Sequence, residues 1–338
     1  MKLRVGVVGL GSAWEKRYRT ALRALSDRFD VRAFCEPVAL RAAQVAREFN
    51  ASAVDGFRAL ARREDVDAVL LLSRRWFGSL PILAACDAGK AVFCCDGLEL
   101  DAETASRLKQ RIEEAGVTFM AEFPRRYAPA TVRLKELIAT RLGAPRLLFC
   151  HARRPAEPLG PGKDDADPCT MAQHELVELV DWCRYVVGGD PRSVVSVAHG
   201  SRPGAFDGDY QMMSLDFSRE DDPASSIIAQ ISCGQYMPAA WHEAIAFRPP
   251  SALQVACEHG IAFVDLPSSL VWFDSAGRHQ ESLDSERPLG EALLLQFHRS
   301  VTSLVLKTSS LEDAYRALAV VIAARRSHAE GRRVPLEF

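Results

Sequence analysis

Val5-Gly6-Val7-Val8-Gly9-Leu10-Gly11-Ser12-Ala13-Trp14 runs from a short apolar stretch through two glycines into a segment with helical character. Strand, glycine turn and helix in that order are how a dinucleotide-binding domain begins. The glycines permit a tight turn and a close approach of backbone to pyrophosphate, and the helix start offers free N–H groups to the same anion. Up to about Glu122, short apolar runs then alternate with amphipathic ones. Strands are expected at 4–8, 31–35, 68–72, 91–94 and 118–121, and helices at 15–25, 39–49, 80–88 and 102–115. That alternation implies a parallel sheet with crossover helices, whose ligands bind at the carboxyl ends of the strands.

Past Phe123 the rhythm changes. Helices are expected at 131–138 and 171–187. Strands at 146–151, 193–199, 211–217, 226–233, 253–258, 261–266 and 270–273 then succeed one another without intervening helices, and two helices close the chain near 290–306 and 311–330. Consecutive strands without crossovers form a largely antiparallel sheet. Residues 155–167, rich in Pro, Gly and Asp, read as a long loop. The expected fold is therefore α/β: an N-terminal Rossmann domain, doubly wound on a parallel sheet, at 1–122, and a C-terminal α+β domain with a large open, mostly antiparallel sheet at 123–338. The second domain is assigned substrate binding and oligomerisation. An open sheet face tends to pair with a copy of itself, so a homo-oligomer, dimer or tetramer, is expected.

A length of 338 residues suits two domains, and 48% apolar with 25% charged residues is ordinary for a globular protein. A net charge of -2 gives no basis for nucleic-acid binding. The clusters Arg74-Arg75 and Arg125-Arg126 read most simply as solvated arginines. The nine cysteines show no C-x-x-C spacing, which favours reduced thiols and a cytoplasmic location. The apolar run after Met1-Lys2-Leu3-Arg4 is too short for a signal peptide, and no stretch has the length of a membrane span.

Gly9, Gly11, Ser12 and Ala13 form the phosphate-binding turn. Glu36, ending the second strand, can accept the ribose hydroxyls and repel a 2′-phosphate, so NAD is expected rather than NADP. Two residues oppose this. Trp14 stands where a third Gly or Ala would let helix and strand pack closely, so its ring either wedges the helix away or projects over the phosphate site. Ser12-Ala13-Trp14-Glu15 also has the form of a capping box, which would bring a carboxylate to the helix start. If the turn is plugged in this way, no cofactor is bound and the segment serves architecture alone.

The chain resembles the glucose–fructose oxidoreductase / inositol dehydrogenase (Gfo/Idh/MocA) family. The resemblance rests on Gly9-Leu10-Gly11, Cys35-Glu36-Pro37 with Arg41-Ala42, Asp65-Val66-Asp67-Ala68-Val69, and Ala88-Gly89-Lys90-Ala91-Val92-Phe93-Cys94. It continues through Arg125-Arg126-Tyr127-Ala128-Pro129, Leu142-Gly143-Ala144-Pro145 and Asp181-Trp182-Cys183-Arg184-Tyr185 with Gly188. It implies NAD(P)-linked oxidation or reduction of sugars, polyols and related small molecules. Three departures stand out. The family's Glu-Lys-Pro, whose Lys contacts the nicotinamide side and the reacting hydroxyl, reads Cys95-Asp96-Gly97 here. The Thr-Pro beside the cofactor reads Ser73-Arg74, and the Asp and His of the second-domain helix correspond to His174 and Glu178, in reversed order.

His174 and Glu178 lie one helical turn apart, with Asp181 continuing the face, so an acid–base pair is one reading and a polar helix face the other. Asp96, if buried, would be a further base. A metal held by His174, Glu178 and Asp181 lacks any supporting His/Cys set, so no metal is expected. The favoured function is an oxidoreductase acting on CH–OH groups of a small molecule. The alternative is a degenerate member that binds a ligand or supports a partner, and a third is elimination or hydrolysis around a retained cofactor.

Overall fold

The structure is a computed structural model that describes residues 2–338 other than 96, 100, 157–167, 201–209, 219–225, 239, 242, 245, 246, 248, 284–286 and 304–309. Compact contacts divide the chain into two units, Met1–Glu122 with Arg287–Tyr315, and Phe123–Glu286 with Arg316–Phe338. The first unit thus recruits a segment from late in the chain.

The first unit is built on six parallel strands, β1 (Leu3–Val8), β2 (Phe29–Cys35), β3 (Ser52–Ala53), β4 (Ala68–Leu71), β5 (Ala91–Cys94) and β6 (Phe119–Ala121). Their order is β3-β2-β1-β4-β5-β6. The chain reverses direction across the sheet between β1 and β4, and such a switch point is where doubly wound folds bind ligands. The crossovers are α1 (Arg19–Ala24), α2 (Ala39–Glu48), α3 (Phe57–Ala61), α4 (Leu80–Asp87) and α5 (Ala102–Ala115). β4 and β5 are buried at every position, as strands covered on both faces must be. Asp101 caps α5 by accepting from Thr104 N–H at 2.8 Å, and Gly116 in the left-handed region ends it.

The second unit begins with α6 (Pro124–Tyr127) and α7 (Pro129–Leu137). β7 (Pro145–Ala156) and α8 (Pro168–Val187) follow, then β8 (Ser193–His199), β9 (Tyr210–Asp216), β10 (Ile228–Pro238), β11 (Leu253–Cys257), β12 (Gly260–Asp265), β13 (Ser269–Asp274) and β14 (Gly277–Ser282). α9 (Leu289–Thr302) belongs to the first unit; α10 (Ser310–Glu330) and β15 (Val334–Pro335) complete the chain. The nine strands lie in the order β14-β13-β12-β11-β7-β10-β9-β8-β15, antiparallel except for the parallel pair β7 and β10. The sheet is two-faced. Leu148, Cys150, Ile231, Met213, Val255 and Trp272 are buried on one side, whereas the alternate row through Phe273, Ile261, Leu147 and Ile228 keeps substantial exposure. Register with period two makes this division follow directly from the pattern of apolar residues.

The parallel and mixed sheets are those expected from sequence. Of the 155–167 loop, 155 and 156 belong to β7 and the rest lies outside the described residues. Among the described residues no helix is long and apolar enough to cross a membrane.

Candidate functional site

The carboxyl ends of β1, β2 and β4 meet at the glycine turn of the first unit. Gly9 has φ +80°, a left-handed value, and its N–H donates to Cys35 O at 2.9 Å. Ser73, just past β4, lies against this turn. A Cβ on Gly9 would stand 2.6 Å from Ser73 O, and one on Gly11 2.9 Å from Ser73 Cβ. Both glycines are therefore demanded by the approach of the β4 loop, apart from any ligand. Glu36 leaves β2 and accepts Leu10 N–H through Oε2 at 2.7 Å. One such bond fixes the turn and leaves the carboxylate with further acceptor capacity.

Neither obstruction expected at the helix start is present. Trp14 is fully buried and packs between Phe34 of β2 and Phe49 at the end of α2, with ring centroids 5.4 Å away in each case. The ring does not stand over the turn; it packs into the core. Residues 14–18 form a π-turn, closed by Arg19 N–H donating to Trp14 O. The wider turn makes room for the indole without breaking the helical run from 12 to 24. The capping box is also absent. Glu15 directs its carboxylate to Arg19 at 3.3 Å and Arg41 at 3.1 Å, and no side chain caps the helix start. Ser12 is exposed and Ala13 half-exposed. An uncapped helix start, a turn closed to any Cβ and a carboxylate at the end of β2 are the donors and acceptor that a dinucleotide requires.

Arg74 follows Ser73 with its side chain nearly buried, Nη1 lying 3.8 Å from Glu99 Oε1. Glu99 also accepts from Ser79 Oγ. Asp96 lies outside the described residues; Cys95 directly after β5 donates its N–H to Leu71 O at 2.9 Å. At the end of β6 stands a carboxylate that sequence reasoning missed. Glu122 is buried, accepts from Tyr18 Oη at 2.7 Å and pairs with Arg17 at 2.9 Å. Burial, with the Glu122 charge, holds the Tyr18 phenol well above its ordinary pKa, so it stays protonated as the donor.

In the second unit α8 carries His174, Glu178 and Asp181, but arginines define their surroundings. Arg125 of α6 bridges Glu175 and Glu178, and Arg154 of β7 also reaches Glu175. Arg126 binds Asp181 in a fork, its Nε 2.6 Å from Oδ2. Arg184 stands 3.7 Å from Asp181 and binds Asp190 at 2.6 Å. Glu175 and Asp181 are buried, so their charges survive only through these partners. Arg125 and Arg126 are therefore not the solvated pair expected. The available signal was the spacing of Glu175, Glu178 and Asp181, three residues apart along one helix. Glu178 and Asp181 each hold a guanidinium, so they do not form a metal-ligand set with His174. Trp272 of β13 is buried and stacked on His279 at 4.8 Å, and Tyr236 of β10 packs edge-on to Tyr210.

A family described as "Oxidoreductase family, NAD-binding Rossmann fold" matches residues 3–123. Inositol 2-dehydrogenase of Paracoccus denitrificans is 33% identical over 198 residues, covering 56% of this chain and 56% of that protein. The chain spans about half the length of several such relatives. Inositol 2-dehydrogenase 2 of Mycolicibacterium vanbaalenii is 26% identical over 348 residues, covering 100% of this chain and 96% of that one. A solved levoglucosan dehydrogenase, in complex with NADH and levoglucosan, superposes with a TM-score of 0.82 at 17% identity, covering 99% of each chain.

Proposed function

Because residues 3–123 match the NAD-binding Rossmann fold of an oxidoreductase family and inositol 2-dehydrogenases are similar to this chain, we propose that it is a Gfo/Idh/MocA oxidoreductase that interconverts CH–OH and C=O on a small polyhydroxylated substrate with NAD as cofactor. The observation that carries the reading is the unblocked helix start beside Gly9–Gly11, with Trp14 turned into the core and Glu15 held by arginines. Glu36 selects NAD over NADP, since a carboxylate at the end of β2 repels a 2′-phosphate. Gly11, Ser12 and Ala13 receive the diphosphate, and Ser73 and Arg74 line the turn on the β4 side.

The nicotinamide supplies the hydride acceptor when bound. His174 takes the hydroxyl proton. Arg125 engages the Glu178 carboxylate, so the part proposed for Glu178 is to tie α6 to α8 near His174 rather than to move the proton itself. The test is thermal stabilisation by NAD, NADH, NADP and NADPH. At a concentration of about 100 Kd a ligand adds about 2.7 kcal/mol of apparent stability. A shift with NAD and NADH is expected, with little from the phosphorylated forms. No shift from any of them at millimolar concentration would overturn the redox reading and leave a binding or supporting protein. A shift without turnover on any polyol or sugar would favour chemistry without net redox.

The exposed face of the second sheet is our candidate for self-association. The row Phe273, Ile261, Ala256, Leu147 and Ile228 crosses five neighbouring strands, with Phe273, Leu147 and Ile228 each about 40% exposed. A contiguous apolar row of that size on an uncovered face is characteristic of an interface. Ile228→Lys, measured by light scattering after gel filtration, is expected to yield monomer from a dimer or tetramer. An unchanged mass would remove this face from consideration. The eight described cysteines are all free thiols, which accords with a reducing, cytoplasmic compartment.

A further inference from the structure

The segment after β4 carries an aromatic side chain with no structural duty. Phe77 and Gly78 both donate their N–H groups to Arg74 O, at 3.2 and 2.8 Å, and Gly78 adopts φ +55°. The loop is tied down on both flanks. Ser73 rests on the glycine turn, and the Phe77 ring packs edge-on against Phe57 at 5.3 Å. Phe57 opens α3 directly after Gly56, and Val54 just upstream donates its N–H to Phe34 O near the end of β2 at 2.9 Å. The loop therefore reaches from the phosphate-binding turn to the end of β2, where the ribose-binding carboxylate stands. Within this anchored loop Trp76 leaves 62% of its surface to solvent, and Arg75 lies 4.9 Å from the ring centroid. Val38, two residues beyond Glu36, adds a second apolar side chain that is 55% exposed. Nothing in the packing of the first unit requires a large indole at 76.

We infer that Trp76 is the stacking platform for the adenine of the dinucleotide. The inference rests on the cofactor reading above and extends it to the base. Glu36 fixes where the adenosine ribose sits, so the base falls at the rim of the sheet beside the ends of β2 and β4. An indole offers adenine a flat apolar surface without demanding particular hydrogen bonds, and a held loop loses little conformational freedom on binding. Arg75 supports the indole from its own side through its cation–π contact.

The experiment titrates the full-length protein with ADP-ribose and, separately, with nicotinamide mononucleotide, by calorimetry and by tryptophan fluorescence. Trp76→Ala is expected to weaken ADP-ribose roughly tenfold or more, the usual cost of removing one base–aromatic stack. Trp76→Phe should retain most of the affinity, and nicotinamide mononucleotide should bind all three forms equally. Quenching of wild-type fluorescence by ADP-ribose should vanish in both variants, because the buried Trp14 remains out of reach. Equal ADP-ribose affinity in wild type and Trp76→Ala would overturn the stacking role while leaving the cofactor reading intact. Failure of the wild type to bind ADP-ribose would overturn both. The exposure of Trp76 makes both variants compatible with folding, which matching melting curves would verify.

Discussion

Replacing Asp181 by Ala is expected to cost about 3–5 kcal/mol of unfolding free energy, because the change removes the buried carboxylate that a largely covered guanidinium grips in a fork. Asp181 is 1% exposed and holds Arg126 through two bonds, with Arg184 3.7 Å away. Arg126 also lies over the rings of Phe123 and Tyr185, at 5.3 and 5.2 Å, so it cannot swing out to water without abandoning both. The double change Asp181→Leu with Arg126→Met should recover most of the loss, since an apolar pair of similar size avoids desolvating two charges. Equilibrium unfolding in urea measures both. A loss below about 1 kcal/mol for Asp181→Ala would mean that the pair behaves like a surface bridge and that the burial seen here does not hold.

Turnover should depend most steeply on His174. In the proposed chemistry, His174→Ala removes the group that accepts the hydroxyl proton, and general acid–base catalysis contributes about 10²–10⁴ to the rate. NAD affinity, read independently by thermal shift, should not change. Glu178→Gln is expected to be far milder, since Gln keeps a carbonyl oxygen that can accept from Arg125. If the two variants lose rate equally, the carboxylate shares the proton, and if neither loses rate the base lies elsewhere.

The two sheets were legible in the sequence because strand burial leaves a direct trace: continuous apolar runs for β4 and β5, alternation for β10 to β13. The polar strand β14, Gly277–Ser282, left none, since an edge strand needs no buried face. The direction of Trp14 was not legible either. A helical wheel assumes 3.6 residues per turn, and the π-turn at Trp14–Tyr18 changes the phase of every side chain it contains. Glu15 has the sequence of a cap, yet two arginines, one from the next helix, compete for its carboxylate. Arg125 and Arg126 look like surface residues locally. Their partners lie some fifty residues away, and only the meeting of α6 with α8 reveals them.

The return of residues 287–315 to the first unit bears on how the protein could be dissected. Phe297 of α9 closes on Phe93 of β5 at 5.5 Å, and Leu293 and Leu294 are fully buried alongside. A fragment trimmed after Glu122 would own every strand of the parallel sheet yet present a raw hydrophobic flank. A stable miniature of the nucleotide-binding half would need the late helix grafted back, by a linker or by permuting the chain.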